Sequence, residues 1–104
     1  MKKVSLSTKY SITQKENNTV VTIDLKNTTK SIAFFTQLQL LDEFNSPVRP
    51  SFYTDNFFSL LPGEKKQVTI ETFGLPKPLT QYHLMVKGYN VNPAIINLVK
   101  ITQK

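Results

Sequence analysis

Cysteine is absent from the sequence, so disulfides and thiolate metal sites are excluded. The single histidine, His83, rules out a multi-histidine metal site and most proton relays. Three glycines, at 63, 74 and 88, are too dispersed for a phosphate-cradling loop. Arginine, the usual reader of guanine edges and phosphate forks, occurs once, as Arg49. The net charge of +6 therefore comes from lysines scattered along the chain, adjacent only at Lys2-Lys3 and Lys65-Lys66. Without a basic stripe, nucleic acid is not an expected partner. No run approaches the roughly 18 apolar residues of a membrane helix, so a membrane is not expected either. Val4 to Thr8 alternates in polarity, which is not the apolar core of a signal peptide.

What is present is enough for one folded unit. The 104 residues, 39% hydrophobic and 11% aromatic, suit a single domain over 1–104 and are too apolar for a disordered chain. They are too few for a (β/α)₈ barrel, which needs roughly 250. Two sequons, Asn17-Asn18-Thr19 and Asn27-Thr28-Thr29, are of the kind that arise by chance in an Asn- and Thr-rich chain.

Period-two patterning dominates. Val4, Leu6, Thr8, Tyr10 and Ile12 alternate with polar residues, and Val21, Ile23 and Leu25 do so after the polar turn Lys15-Glu16-Asn17-Asn18. These runs predict an antiparallel hairpin. Ile32 to Leu41 is apolar on both faces, with Ile32, Phe34, Leu38 and Leu40 sharing one, which predicts a central strand. Val48 to Tyr53 contains Pro50 and follows Pro47, so it can only be an edge strand. After the turn Pro62-Gly63-Glu64, alternation returns in Gln67–Phe73 and in Tyr82–Tyr89, and Ala94 to Thr102 can form a last strand. No segment has helical periodicity. The expected fold is all-β: an immunoglobulin-like antiparallel β-sandwich of about seven strands, with a five-stranded closed barrel as the alternative.

Catalytic constellations are missing. His83 lies at an alternating strand position, no serine sits in a Gly-x-Ser-x-Gly elbow, and the seven carboxylates fall mostly in turns or on outward positions. No catalytic residue, metal site or cofactor is expected. The densest feature is Pro50 to Phe58, in which Phe52, Tyr53, Phe57 and Phe58 flank Asp55-Asn56. Aromatic faces beside carboxylate and amide groups can bind an oligosaccharide, and exposed rings can dock another domain. The competing structural reading has Phe57 and Phe58 anchoring the sandwich edge while Asp55 or Asn56 closes a turn. Phe52, Tyr53, Asp55, Asn56 and Phe57 are accordingly the candidate carbohydrate- or domain-contact residues.

Ile32-Ala33-Phe34-Phe35, the block from Thr54-Asp55-Asn56-Phe57-Phe58 to Pro62-Gly63-Glu64, and the ending Val86-Lys87-Gly88-Tyr89-Asn90-Val91 resemble one family. It is the C-terminal immunoglobulin-like domain of glycoside hydrolase family 2, nearest in pattern to the β-mannosidase and exo-β-glucosaminidase branches. The resemblance covers about residues 17–91, with Tyr89 where tryptophan is usual. It implies a non-catalytic accessory domain whose partner is the catalytic domain of a parent retaining β-glycosidase, β-mannosidase-like. The catalytic glutamates of that family lie on a barrel this chain lacks, so no residue here inherits them. The expected compartment of such a parent is extracellular or periplasmic.

Overall fold

A computed structural model describes residues 3–48, 51–75 and 79–98. Eight strands are present among them: β1 (Ser7–Lys15), β2 (Asn18–Lys26), β3 (Ala33–Leu41), β4 (Ser51–Tyr53), β5 (Phe58–Leu60), β6 (Lys65–Phe73), β7 (His83–Lys87) and β8 (Ala94–Asn97). They form two antiparallel sheets, ordered β1-β2-β6-β4 and β5-β3-β7-β8. The only helical element among the described residues is the single 3₁₀ turn Leu79–Gln81. The expected immunoglobulin-like sandwich is the fold observed. The additional strand is β5, too short for its alternation to register in the sequence.

Alternation explains where the core lies. Ile12 from β1, Val21, Ile23 and Leu25 from β2, and Val68 and Ile70 from β6 are buried on one sheet. Leu38 and Leu40 from β3, Leu60 from β5, and Leu84 and Val86 from β7 oppose them from the other. Each such side chain fully withdrawn from water contributes about 1.5–3 kcal/mol. The β1–β2 hairpin turns through Glu16 at φ 57.

Two expectations are corrected. In β3 the inward residues are Ala33, Thr36, Leu38 and Leu40, so Phe34 does not share the face of Leu38. A register shift between Ala33 and Thr36, with Phe35 at φ 51, inserts an extra residue and changes the phase of the alternation. Second, the expected run Val48–Tyr53 is divided between the sheets. Val48 N–H donates to Leu40 O of β3, whereas Ser51–Tyr53 pairs with β6. Before the Pro62-Gly63 turn, Leu60 is buried and Leu61 is exposed. The last strand is described only as far as Asn97; the rest of its expected range, beyond Leu98, lies outside the described residues.

The N-terminal segment ties the two sheets together. Val4 is fully buried and bridges to Val91, donating to Asn90 O (2.7 Å) and accepting from Asn92 N–H (2.8 Å). The chain then crosses to the opposite sheet and enters β1.

Candidate functional site

The segment from β4 to β5 crosses from one sheet to the other, and its polar side chains complete the edge of β3. β5 pairs with β3 only at Ala33 and Thr36, so the remainder of that edge needs other partners. Asn56 supplies them at Leu38: its Oδ1 accepts from Leu38 N–H at 2.8 Å, and its Nδ2 donates to Leu38 O at 3.0 Å. The side-chain amide thus imitates a strand residue. Tyr53 Oη accepts from Leu40 N–H at 2.8 Å. Burial raises the Tyr53 phenol above its ordinary value, and the Leu40 N–H bond opposes that shift.

Asp55 faces β6. It pairs with Lys66 Nζ at 2.5 Å and accepts from Asn56 N–H at 2.8 Å. The hydrogen bond from Lys66, followed by that from Asn56, holds its carboxyl below the usual value. Lys66 also lies 5.2 Å from the centre of the Phe58 ring, within cation–π range. The structure therefore brings Tyr53, Asp55 and Asn56 together as a clasp between β3 and β6. Phe52 and Phe57 carry no part of it and remain solvent-exposed. Phe52 meets Phe73 edge-on at 6.2 Å, above a shallow groove of about 290 Å³ lined by Thr54, Thr69 and Glu71. Phe57 stands at φ 57.

The other motifs form a second clasp that the sequence did not connect. Asn90 is buried; its Oδ1 accepts from Phe34 N–H at 2.8 Å and its Nδ2 donates to Ile32 O at 2.7 Å. Tyr89 N–H donates to Phe34 O. A Cβ at Gly88 would lie 2.9 Å from Phe34 O, 3.2 Å from Phe35 O and 2.8 Å from Val91 Cγ2, so only glycine admits the bulged β3 backbone at this distance. Gly-Tyr-Asn and Ile-Ala-Phe-Phe are thus two halves of one junction.

Pro62-Gly63 forms a turn in which Glu64 N–H donates to Leu61 O and Gly63 has φ 80. Glu64 Oε1 accepts from Leu61 N–H at 2.9 Å, so its side chain closes the same turn. Asn27 closes the neighbouring loop. It is fully buried, and its Nδ2 donates to Ser31 O and Leu60 O. That amide is inaccessible to glycan transfer in the folded chain, whereas Asn17 is exposed.

Lysines separate in the sequence converge in space. Lys9, Lys26, Lys65 and Lys66, with Asp24, line an open groove of about 590 Å³. Among the described residues no cluster of three or more histidine and carboxylate groups could hold a metal, and no helix is long and apolar enough to cross a membrane.

The model for the exo-beta-D-glucosaminidase Ig-fold domain matches residues 1–91. The chain belongs to that family. The match includes the N-terminal residues outside the sequence resemblance, consistent with the buried bridge of Val4. The Amycolatopsis orientalis exo-chitosanase CsxA superposes with a TM-score of 0.82 at 23% identity, over 92% of this chain and 12% of that one. The yjhA protein from Bacillus subtilis is similar at a TM-score of 0.66 and 12% identity, covering 95% of both chains. The E. coli chaperone DraB matches at 0.62 and 18%, over 93% of this chain and 56% of its own. At these identities the likeness shows the fold. No curated protein sequence matches the chain.

Proposed function

We propose that this chain is a non-catalytic accessory domain of a larger exo-β-glycosidase, packing on its catalytic domain. The observation that carries this reading is the family match over residues 1–91, joined to a structural match that spans 12% of the exo-chitosanase. Its own residues point the same way: the polar groups of the Asp-Asn-aromatic block and of the Gly-Tyr-Asn ending are engaged with backbone at a strand edge and at the bulge. The neighbours' names favour a parent acting on β-glucosaminides; a β-mannosidase-like parent is the other substrate class within the same reading.

The test compares the complete polypeptide carrying these residues with the 104-residue chain on nitrophenyl β-glucosaminide and β-mannoside. Hydrolysis by the first alone is expected, and the preferred sugar identifies the branch. Turnover by the purified 104-residue chain, abolished by replacing one of its own carboxylates, would overturn the reading.

A free-standing carbohydrate module is the second reading, favoured by exposed Phe52 above the groove beside Glu71. Titration with manno- and gluco-oligosaccharides should shift amide resonances around Phe52 if it holds. No change up to millimolar sugar removes it.

A further inference from the structure

Phe35, Phe57 and Tyr89 are 62%, 63% and 68% exposed. The strand registers place them together. Beyond the last β3–β7 pair, Gln37 with Lys87, Tyr89 N–H donates to Phe34 O at 3.0 Å, which sets Tyr89 beside the bulge at Phe35. With Thr36 opposite Phe58, Phe57 falls across from Gln37. The three exposed residues therefore sit around the bulged end of the β5-β3-β7-β8 sheet, next to Gln37 and Lys87.

We propose that this aromatic cluster docks the domain onto a neutral, apolar surface of another domain of its parent polypeptide. The inference rests on the accessory-domain reading and adds the face by which the domain is held.

Backbone conformation is the first argument. Phe35 and Phe57 adopt φ of 51 and 57, a left-handed region that bulky residues rarely enter. Their rings stay largely exposed, with Phe35 meeting the neighbouring Phe34 ring at 6.4 Å, so core burial does not compensate the strain. The scaffold beneath is rigidly specified, however. Asn90 binds Phe34 and Ile32, Gly88 admits the Phe34 and Phe35 carbonyls, and Asn56 pairs with Leu38 immediately before Phe57. Strain held in place by surrounding bonds is characteristic of binding surfaces.

Charge is the second argument, and it selects the occupant. Around the cluster the outward positions are Gln37, Gln39, Met85 and Ile95, with Lys87 the one charged group among them. The opposite sheet instead displays Lys9, Asp24, Lys26 and Lys65 outward. Aromatic enrichment with charge depletion is the composition of an interface centre. A neutral protein surface complements it and a polyanion does not. A second copy would bring two chains of net charge +6 together, which opposes association. The 12% share of the matched exo-chitosanase indicates ample further chain to provide the partner surface.

The test places the photoreactive amino acid p-benzoylphenylalanine, in the complete parent polypeptide, at position 35, 57 or 89, with position 22 on the opposite face as control. Cross-links within the same chain to residues outside 1–104 are expected from the first three positions and not from the control. Cross-links from position 22 alone, or from the aromatic positions to a second copy only, would overturn the proposal. In a second arm, Phe57→Asn with Tyr89→Ser should abolish the cross-link at position 35 while far-ultraviolet circular dichroism is unchanged; a retained cross-link with an unchanged spectrum overturns it as well. Glycosidase activity of the same preparation reports the accessory reading separately. An active enzyme that cross-links only through position 22 refutes the docking face alone, and a polypeptide with no further domain refutes both.

Discussion

Asn56 illustrates how one side chain can stand in for a strand. Its amide satisfies both backbone groups of Leu38, so removing it leaves a donor and an acceptor without those partners at the β3 edge. Asn56→Ala should therefore lower unfolding stability by about 1–3 kcal/mol in urea titrations. Tyr53 performs half of that task at Leu40, and its phenol is raised above 10.0 by burial. A raised folded-state value means that the contribution is complete below the unfolded value and is lost as pH rises through the folded one. The stability difference between wild type and Tyr53→Phe should then be constant near neutrality and shrink above about pH 10, measured by denaturation at a series of pH values. Asp55 has the opposite sign. Its lowered carboxyl stabilises the fold above the unfolded value of 3.8, and that contribution disappears as pH falls through the folded one. At Phe35, Phe35→Gly relieves a positive φ while removing an exposed ring. The 104-residue chain should be unchanged or stabilised by up to about 1 kcal/mol in thermal melts, after the entropic cost of glycine is subtracted. A loss of several kcal/mol would show that the ring has a packing role within the domain.

Among the elements, β1, β2, β6 and β7 were legible because each has one buried face and a plain period of two. β3 was legible as a central strand but not in phase, since the bulge at Phe35 is a response to Gly88 and Asn90 more than fifty residues away. β4 and β5 are three-residue strands whose assignment depends on which sheet they reach. In the candidate segment, the reading of Asp55 or Asn56 as closing a turn implied a local backbone target. Asp55 does take the adjacent Asn56 N–H, whereas Asn56 reaches β3. Cross-strand charge gives a prediction at this scale. Lys26 of β2 lies directly opposite Lys65 of β6, and like charges so placed repel. Lys65→Glu should stabilise the domain by about 0.2–1 kcal/mol at low ionic strength, and the gain should diminish in molar salt.

For the whole molecule, closure of the sandwich depends on a residue near the N-terminus. Val4 lies against Val91 and hydrogen-bonds on both sides of it before the chain enters the other sheet. Val4→Ala should cost about 1–3 kcal/mol, a core-sized loss at a position whose sequence context is a basic chain end. The same lower stability measured for a chain beginning after Val4 would confirm that the segment belongs to the fold.

The sequence by itself determined the all-β architecture, the hairpin, the Pro62-Gly63 turn and the family, because these rest on local periodicity, backbone restriction and contiguous motifs. Only the tertiary structure decided what the motifs do. Asn56, Asn90 and Gly88 act on backbone groups of β3 that are remote in sequence, and hydrogen-bond partners at that range leave no periodic trace. It also decided which aromatics are held inside and which are displayed, since exposure of Phe35 and Phe57 follows from left-handed backbone geometry that side-chain identity does not encode.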